Sequence, residues 1–214
     1  MKSFLVIGLG RFGRSTAEKL IELRHEVLAV DMDEDRVNEI MPFVTDAMIG
    51  DATKESFIST LGVDNFDVCI VAIGDNFQSS LECTALLKEH RARYVVARAN
   101  GEVHKKFLLN NGADEVVYPE GQLAEWLAVR CSSERIFDYI ELDSESAIYE
   151  VAAPEDWDGK PLSHLNIRRK YGINVIGIRE ENGVTMEISP DLILTAGQRI
   201  YVAGNKKTIK KIFS

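Results

Sequence analysis

Gly8-Leu9-Gly10-Arg11-Phe12-Gly13 is the segment of this chain best suited to chemistry, because it follows a short apolar run directly and opens a stretch of helical periodicity. In that setting Gly8 permits a tight turn, Gly10 lets the backbone approach a diphosphate, and Gly13 lets a helix pack closely on a strand. Backbone N–H groups at the start of the helix would face the phosphates. Asp31 lies 21 residues after Gly10, at the end of the second apolar run. A carboxylate there can accept hydrogen bonds from both ribose hydroxyls and would repel a 2′-phosphate. The expected ligand is ATP, ADP or NAD(H), and not a dinucleotide with an extra phosphate.

Two later segments, Gly50-Asp51-Ala52-Thr53 and Gly74-Asp75-Asn76, also reach the carboxyl edge of the expected sheet, where open α/β folds bind ligands. Asp51 and Thr53 either hydrogen-bond an adenine or cap the following helix, and the two roles can coexist. Arg11 offers bidentate, charge-assisted contacts to phosphate, which tilts the expectation towards ATP or ADP. Without an anion, an arginine at a helix start would face the positive end of the dipole. Arg98, ending the fifth apolar run, adds a second cation at the same edge.

These residues need a scaffold, and the periodicity supplies one. Short runs rich in β-branched residues, at Phe4 to Ile7, Val27 to Val30, Ala47 to Ile49, Val68 to Ile73, Tyr94 to Ala97 and Val116 to Tyr118, predict six parallel strands. Between them Phe12 to Leu23, Arg36 to Met41, Ser56 to Leu61, Phe77 to Leu87 and Val103 to Leu109 have helical spacing, with Gly62 and Gly112 placed as C-terminal caps. The near-continuous apolar run at Val68 to Ile73 implies helices on both faces of the sheet. This is an α/β fold with a Rossmann-like, doubly wound parallel sheet.

Beyond Pro119 the rhythm changes. A helix at Leu123 to Cys131 precedes strands at Ile136 to Leu142, Ala147 to Val151, Val175 to Arg179, Thr185 to Ile188 and Ile200 to Val202. Further helices are expected at Leu162 to Tyr171 and Lys206 to Phe213. The resulting division is a nucleotide-binding domain over 1–120, a linker helix over 121–135, and a small α/β lobe over 136–214.

A net charge of −9 disfavours a general nucleic-acid binder, since a polyanion would be repelled by most of the surface. No apolar run is long enough to cross a membrane, and the amino terminus enters a strand without a signal-like layout, so a membrane role is expected through a partner. Cys69, Cys83 and Cys131 are too few and too widely spaced for a disulfide framework or a zinc knuckle and fit a reducing cytosol, with Cys69 and Cys83 expected as small buried side chains. The histidines at 25, 90, 104 and 164 form no local constellation and read as ordinary surface or helix residues.

The same residues carry a family resemblance. Val6-Ile7-Gly8-Leu9-Gly10-Arg11-Phe12-Gly13, Ala29-Val30-Asp31, Gly50-Asp51-Ala52-Thr53, Val71-Ala72-Ile73-Gly74, Asn111-Gly112-Ala113-Asp114 with Pro119-Glu120, and Leu165-Asn166-Ile167-Arg168 with Tyr171-Gly172 resemble the cytoplasmic regulatory subunits of Ktr and Trk potassium uptake systems. Their domains are the RCK domains, which regulate the conductance of K⁺. The resemblance implies a nucleotide-binding lobe joined through a crossover helix to a C-terminal lobe, and the Arg-Phe form of the loop is similar to the ATP/ADP-responsive Ktr branch. It implies dimers assembled into an octameric ring, docked at the inner face of the cell membrane on a KtrB/TrkH-like channel or transporter subunit.

By that resemblance Gly8, Gly10, Arg11, Phe12 and Gly13 would surround the phosphates, with Asp31 at the ribose. Asp51, Ala52 and Thr53 would lie at the base side, with Ile73, Gly74 and Asn76 nearby. Arg98 and Glu120 would lie near the terminal phosphate. A carboxylate beside a triphosphate repels it unless a cation intervenes, so Mg²⁺, Ca²⁺ or Na⁺ is expected between Glu120 and the γ-phosphate; a carboxylate following Pro119 at a helix start explains the same residue without a ligand. In the C-terminal lobe the basic stretch around Arg168 is similar to the segment with which some relatives bind cyclic di-AMP, with Asn174, Val175 and Pro190 framing the base. A solvated helix end explains the same charges. Two rival readings remain: an NAD-dependent oxidoreductase, which the glycine loop and Asp31 permit, and a nucleotide-binding adaptor with another partner.

Overall fold

The computed structural model describes residues 1–213 of the 214 in the chain. The chain divides into two compact units, Met1 to Gly121 and the residues from Gln122 onward.

In the first unit six strands form one parallel sheet: β1 (Ser3–Ile7), β2 (Glu26–Asp31), β3 (Asp46–Ile49), β4 (Val68–Val71), β5 (Val95–Arg98) and β6 (Glu115–Val117). Their order across the sheet is β3-β2-β1-β4-β5-β6. Side chains alternate along β1. Leu5 and Ile7 enter one core with Cys83, Leu87 and Leu108, while Phe4 and Val6 enter another with Ala17, Val37 and Ile40. The first core is sealed by α3 (Glu55–Ile58), α4 (Phe77–Glu89) and α5 (Glu102–Asn110). The second is sealed by α1 (Arg11–Glu22) and α2 (Glu34–Ile40). Full burial of each such aliphatic side chain contributes about 1.5–3 kcal/mol.

Because β1 pairs with both β2 and β4, the chain winds one way from β1 to β3 and the other way from β4 to β6. The carboxyl end of β1 is therefore the switch point of the doubly wound sheet, where the crossovers on its two sides part and leave a crevice. The glycine loop occupies it.

The second unit begins within α6 (Pro119–Cys131) and builds an antiparallel sheet from β7 (Ile136–Glu141), β8 (Ser146–Ala152), β9 (Asn174–Glu180), β10 (Gly183–Thr185) and β11 (Arg199–Asn205), in the order β10-β9-β11-β8-β7. One face packs Tyr149, Val151, Ile200 and Val202 against Trp157, Ile167, Ile209 and Phe213. The short helices α7 (Leu162–Leu165) and α8 (Ile167–Tyr171) and the closing α9 (Lys206–Phe213) complete the lobe.

Several elements differ from expectation for identifiable reasons. The helix expected over Leu162 to Tyr171 is broken by Asn166, which adopts φ 50 and ψ 33, a left-handed conformation that no α-helix continues through. The strand expected at Thr185 to Ile188 is instead Gly183–Thr185, a hairpin return in which Val184 pairs with Arg179. The apolar pattern past Val71 does not extend β4, because Ala72 and Ile73 already belong to the loop packed on Gly8. The helix over Ser56 to Leu61 is a single α-turn, Glu55–Ile58, and the linker helix starts earlier than Leu123, at Pro119, a residue suited to a first helical turn.

Candidate functional site

Gly8 holds φ +94, a conformation costly for any residue with a side chain, and this turns the chain out of β1. Gly13 is required by contact: a Cβ there would lie 1.9 Å from the Gly8 carbonyl oxygen. Gly10 is different. Its backbone sits at φ −63 and ψ −177, which any residue adopts, and an added Cβ would meet nothing within 4 Å. Neither conformation nor packing demands glycine at 10. What glycine supplies there is bare backbone beside open space, at the N-terminus of α1.

Asp31 ends β2 and is 7% exposed. Its Oδ2 accepts the Leu9 N–H at 2.6 Å, its Oδ1 accepts the Asp33 N–H at 3.0 Å, and Arg36 lies 3.5 Å from Oδ2. The carboxylate thus anchors the glycine loop to the second strand, a role the sequence pattern did not disclose. Arg11 is exposed at the first position of α1 and makes no hydrogen bond or ion pair among the described residues. Its charge helps to depress the Glu120 carboxyl.

On the other side of the switch point, Gly74 lies under the Arg98 guanidinium, and a Cβ at 74 would fall 1.9 Å from Nη1. Arg98 bonds the Glu120 carboxylate and lies 5.8 Å from the centroid of the Phe12 ring. Its Nε is buried without a hydrogen-bond partner among the described residues. Glu120's own backbone N–H and the Arg98 guanidinium hold the Glu120 carboxyl below the usual carboxylate range. No group of three or more metal-ligating side chains forms among the described residues. A lone carboxylate already paired with an arginine is a poor metal site by itself, so a cation there would need oxygens from a bound ligand.

Asp51 serves local geometry. Its Oδ1 accepts the Thr53 N–H at 3.0 Å and hydroxyl at 2.7 Å, the hydroxyl first in holding the carboxyl pKa down. This turn precedes α3 and does not cap it, because the N-cap is Lys54. Ala52 is buried beside it, Ile73 is half-buried, and Asn76 caps α4 by accepting the Ser79 N–H at 3.0 Å.

Sequence reasoning missed a chain of polar groups behind the Gly74 loop. Asn100 Nδ2 donates to the Gly74 carbonyl at 3.1 Å; the His104 ring meets Asn100 Oδ1 at 2.9 Å through Nδ1 and Ser80 Oγ at 2.7 Å through Nε2. Ser80 Oγ also donates to the Phe77 carbonyl at 2.9 Å and the Asn100 N–H points at Nδ1 from 3.3 Å, so two donors and two acceptors compete for the ring nitrogens. Burial lowers the His104 pKa, and the residue is 2% exposed. Only an i, i+4 spacing of Asn100 and His104 hinted at it.

In the second unit Arg168, Asn174 and Val175 line a cavity of about 290 Å³. Pro190 is not in its wall but accepts the Ser163 N–H at 2.8 Å, and Ser163 lines it. Elsewhere the buried Glu150 holds Arg179 through two bonds of 2.5 and 3.0 Å, with Arg199 at 3.6 Å. Cys69 and Cys83 are buried, and burial pushes the Cys69 thiol up to about 12, so both are inert packing groups.

The TrkA-N domain family matches residues 4–119 and the TrkA-C domain family matches residues 147–214. The Ktr system potassium uptake protein A of Bacillus subtilis (strain 168) is 38% identical over 98% of this chain and 95% of its own length. The Ktr system potassium uptake protein C of the same organism is 43% identical over 88% of this chain and 85% of its own. Among solved structures, the GsuK RCK domain superposes with TM-score 0.70 at 19% identity over 99% of this chain, and GsuK bound to NAD with TM-score 0.70 over 97%. GsuK bound to ADP gives TM-score 0.56 over 62% of this chain. This chain spans less than half of those structures' chains, and at that identity the likeness is one of fold. The chain belongs to the TrkA-N/TrkA-C family that includes the Ktr system potassium uptake proteins.

Proposed function

We propose that this chain is the cytoplasmic, nucleotide-responsive regulatory subunit of a membrane potassium uptake system. The observation that carries the reading is the bare backbone of Gly10 at the switch point, in a chain so similar along its length to two Ktr system potassium uptake proteins. It is a binding module and not an enzyme, since the relatives with that likeness are transport-system proteins.

The ligand is an adenine nucleotide, ATP or ADP before NAD(H). Backbone N–H groups around Gly8, Gly10 and Gly13 would meet its phosphates, with Arg11 supplying the charge that its own helix dipole disfavours. Asp31 retains free lone pairs for ribose hydroxyls while it anchors Leu9. Asp51, Ala52 and Thr53 would border the base, and Ile73, Gly74 and Asn76 the opposite wall. Arg98, with an unpaired Nε, and Glu120 would take the terminal phosphate, through Mg²⁺, Ca²⁺ or Na⁺ at Glu120. ATP and ADP differ only in that phosphate, so any switch between them must act there.

Exposed apolar residues support self-association into dimers and rings: Val103 and Phe107 on α5, and Leu123 and Leu127 one helical turn apart on α6. The cavity at Arg168, Asn174 and Val175 is small for a whole cyclic di-AMP and suits half of one, the other half falling to a second copy.

Titration calorimetry of the purified chain with ATP, ADP, NADH and cyclic di-AMP, with and without Mg²⁺, tests the ligands. Flux of K⁺ through a reconstituted pore subunit tests the output. Loss of all adenine-nucleotide binding, or binding to which flux is indifferent, overturns the proposal.

A further inference from the structure

A second cavity in the C-terminal unit, of about 560 Å³, is lined by Arg135, Lys170, Lys211 and Thr208, with Tyr171 and Ile212 as its apolar wall. It is separate from the cavity at Arg168, although Lys170 and Arg168 share α8. Arg135 enters from the turn before β7, Lys170 from α8 and Lys211 from α9, so three elements bring their cations to one opening. Asp156 is the lone carboxylate in the lining, and Lys170 is held over the Tyr171 ring with Nζ 4.8 Å from its centroid. Neither Arg135 nor Lys211 forms an ion pair among the described residues.

The rest of the protein makes this arrangement unusual. The chain carries 34 acidic residues against 25 basic ones. The lining nevertheless holds three cations against one carboxylate, a local excess of positive charge that a bound anion would offset. Three positive groups exceed what one carboxylate ligand neutralises, and an arginine with lysines matches a phosphate, which accepts a fork and point charges together. The volume falls within the range of small-molecule sites and is far larger than a bare phosphate needs. Tyr171 and Ile212 offer the remainder of such a molecule an apolar surface.

We propose that this cavity binds a phosphate-bearing ligand with an apolar portion, independently of the nucleotide site at the glycine loop. The phosphate comes either from a free metabolite or from a lipid headgroup. The test uses the full chain and two probes: inorganic pyrophosphate in titration calorimetry, and co-sedimentation with phosphatidylcholine vesicles with and without phosphatidylglycerol. The variants are the double charge reversal R135E/K211E and the milder R135Q/K211Q, whose exposed positions spare the core; melting curves check that each is folded.

Pyrophosphate affinity at least tenfold weaker in R135E/K211E, with adenine-nucleotide binding unchanged and no vesicle binding, identifies a free phosphorylated ligand. Phosphatidylglycerol-dependent sedimentation lost in the same variant identifies a headgroup. If a folded variant binds pyrophosphate and vesicles as the parent does, the cavity is no phosphate site and the proposal falls. Since the cavity lies wholly beyond Gln122, loss of nucleotide binding in the first unit leaves this outcome readable.

Discussion

The Arg98 guanidinium is bonded to the Glu120 carboxylate directly above Gly74, so the cation proposed for a terminal phosphate is already engaged by an internal anion. A nucleotide whose terminal phosphate meets Arg98, as proposed, must displace that carboxylate or bridge to it through a cation. The two cases separate in Glu120→Gln. If Glu120 recruits the cation, the roughly tenfold gain in ATP affinity expected on adding Mg²⁺ disappears in the variant, a coupling of ordinary size. ADP binding without Mg²⁺ stays the same or tightens, because Arg98 is released. Calorimetry over a Mg²⁺ series measures both, and a variant that keeps the full Mg²⁺ effect removes Glu120 from the cation's shell.

The glycines of the loop predict opposite phenotypes. Gly10→Ala meets no neighbour and no forbidden backbone angle, so its fold should persist, with a stability loss below about 1 kcal/mol from a weaker N-cap. Nucleotide affinity should fall at least tenfold if the phosphates lie where proposed, because the methyl would then occupy their space. Gly13→Ala instead drives a methyl into the Gly8 carbonyl and should unfold or loosen the domain by several kcal/mol, the order expected for overpacking of a tight core contact. Melting curves and titrations on the same samples separate a ligand-facing glycine from a structural one. Equal losses of stability in the two variants would contradict the distinction.

Legibility followed the range of the interactions. The glycine loop, Asp31 and the parallel strand series are local patterns, with one apolar period per element, and the sheet built from them matches the alternation along β1. What stayed hidden depends on partners distant in sequence. Nothing near Asp31 says that Leu9 will donate to it, nothing near Gly74 says that Arg98 will lie across it, and the Asn166 break in the expected helix needs only one residue in a left-handed state. The second lobe was read less well although its strands are mostly longer, because polar and charged residues alternate with the apolar ones along them. Glu150, in the middle of one, is a buried carboxylate that only the neighbouring strands explain.

Glu150 carries a pH prediction. Hydrogen bonding to Arg179 first of all, and then to Tyr201, holds its carboxyl below the ordinary value. A depressed folded-state pKa contributes stability that is present above the unfolded value near 4.3 and is lost as pH falls through the lower folded value. Glu150→Gln should therefore cost about 1–3 kcal/mol at pH 7, less than for a fully buried pair because Arg179 and Arg199 are half exposed and can be hydrated. Parent and variant should converge in stability below about pH 4. Urea unfolding at pH 7, 5 and 3 tests it, and a difference independent of pH would assign the loss to packing alone.

His104 ties the Gly74 loop to the helices behind it, and its removal should loosen that loop more than it destabilises the domain. In His104→Leu, Asn100 loses the ring that orients it, and the Gly74 carbonyl loses a fixed donor. Amide exchange should accelerate at Gly74 to Phe77, nucleotide affinity should fall about three- to tenfold, and stability by about 1–2 kcal/mol, the size of one or two buried hydrogen bonds. The ring's lowered pKa sets the direction in pH: the folded state favours neutral His104, so its contribution is whole above the unfolded value near 6.5 and declines as pH falls below it. The parent should thus lose folding stability between pH 7 and 5.5 while His104→Leu shows a flatter profile. Equal pH profiles for the two proteins would leave His104 with a packing role only.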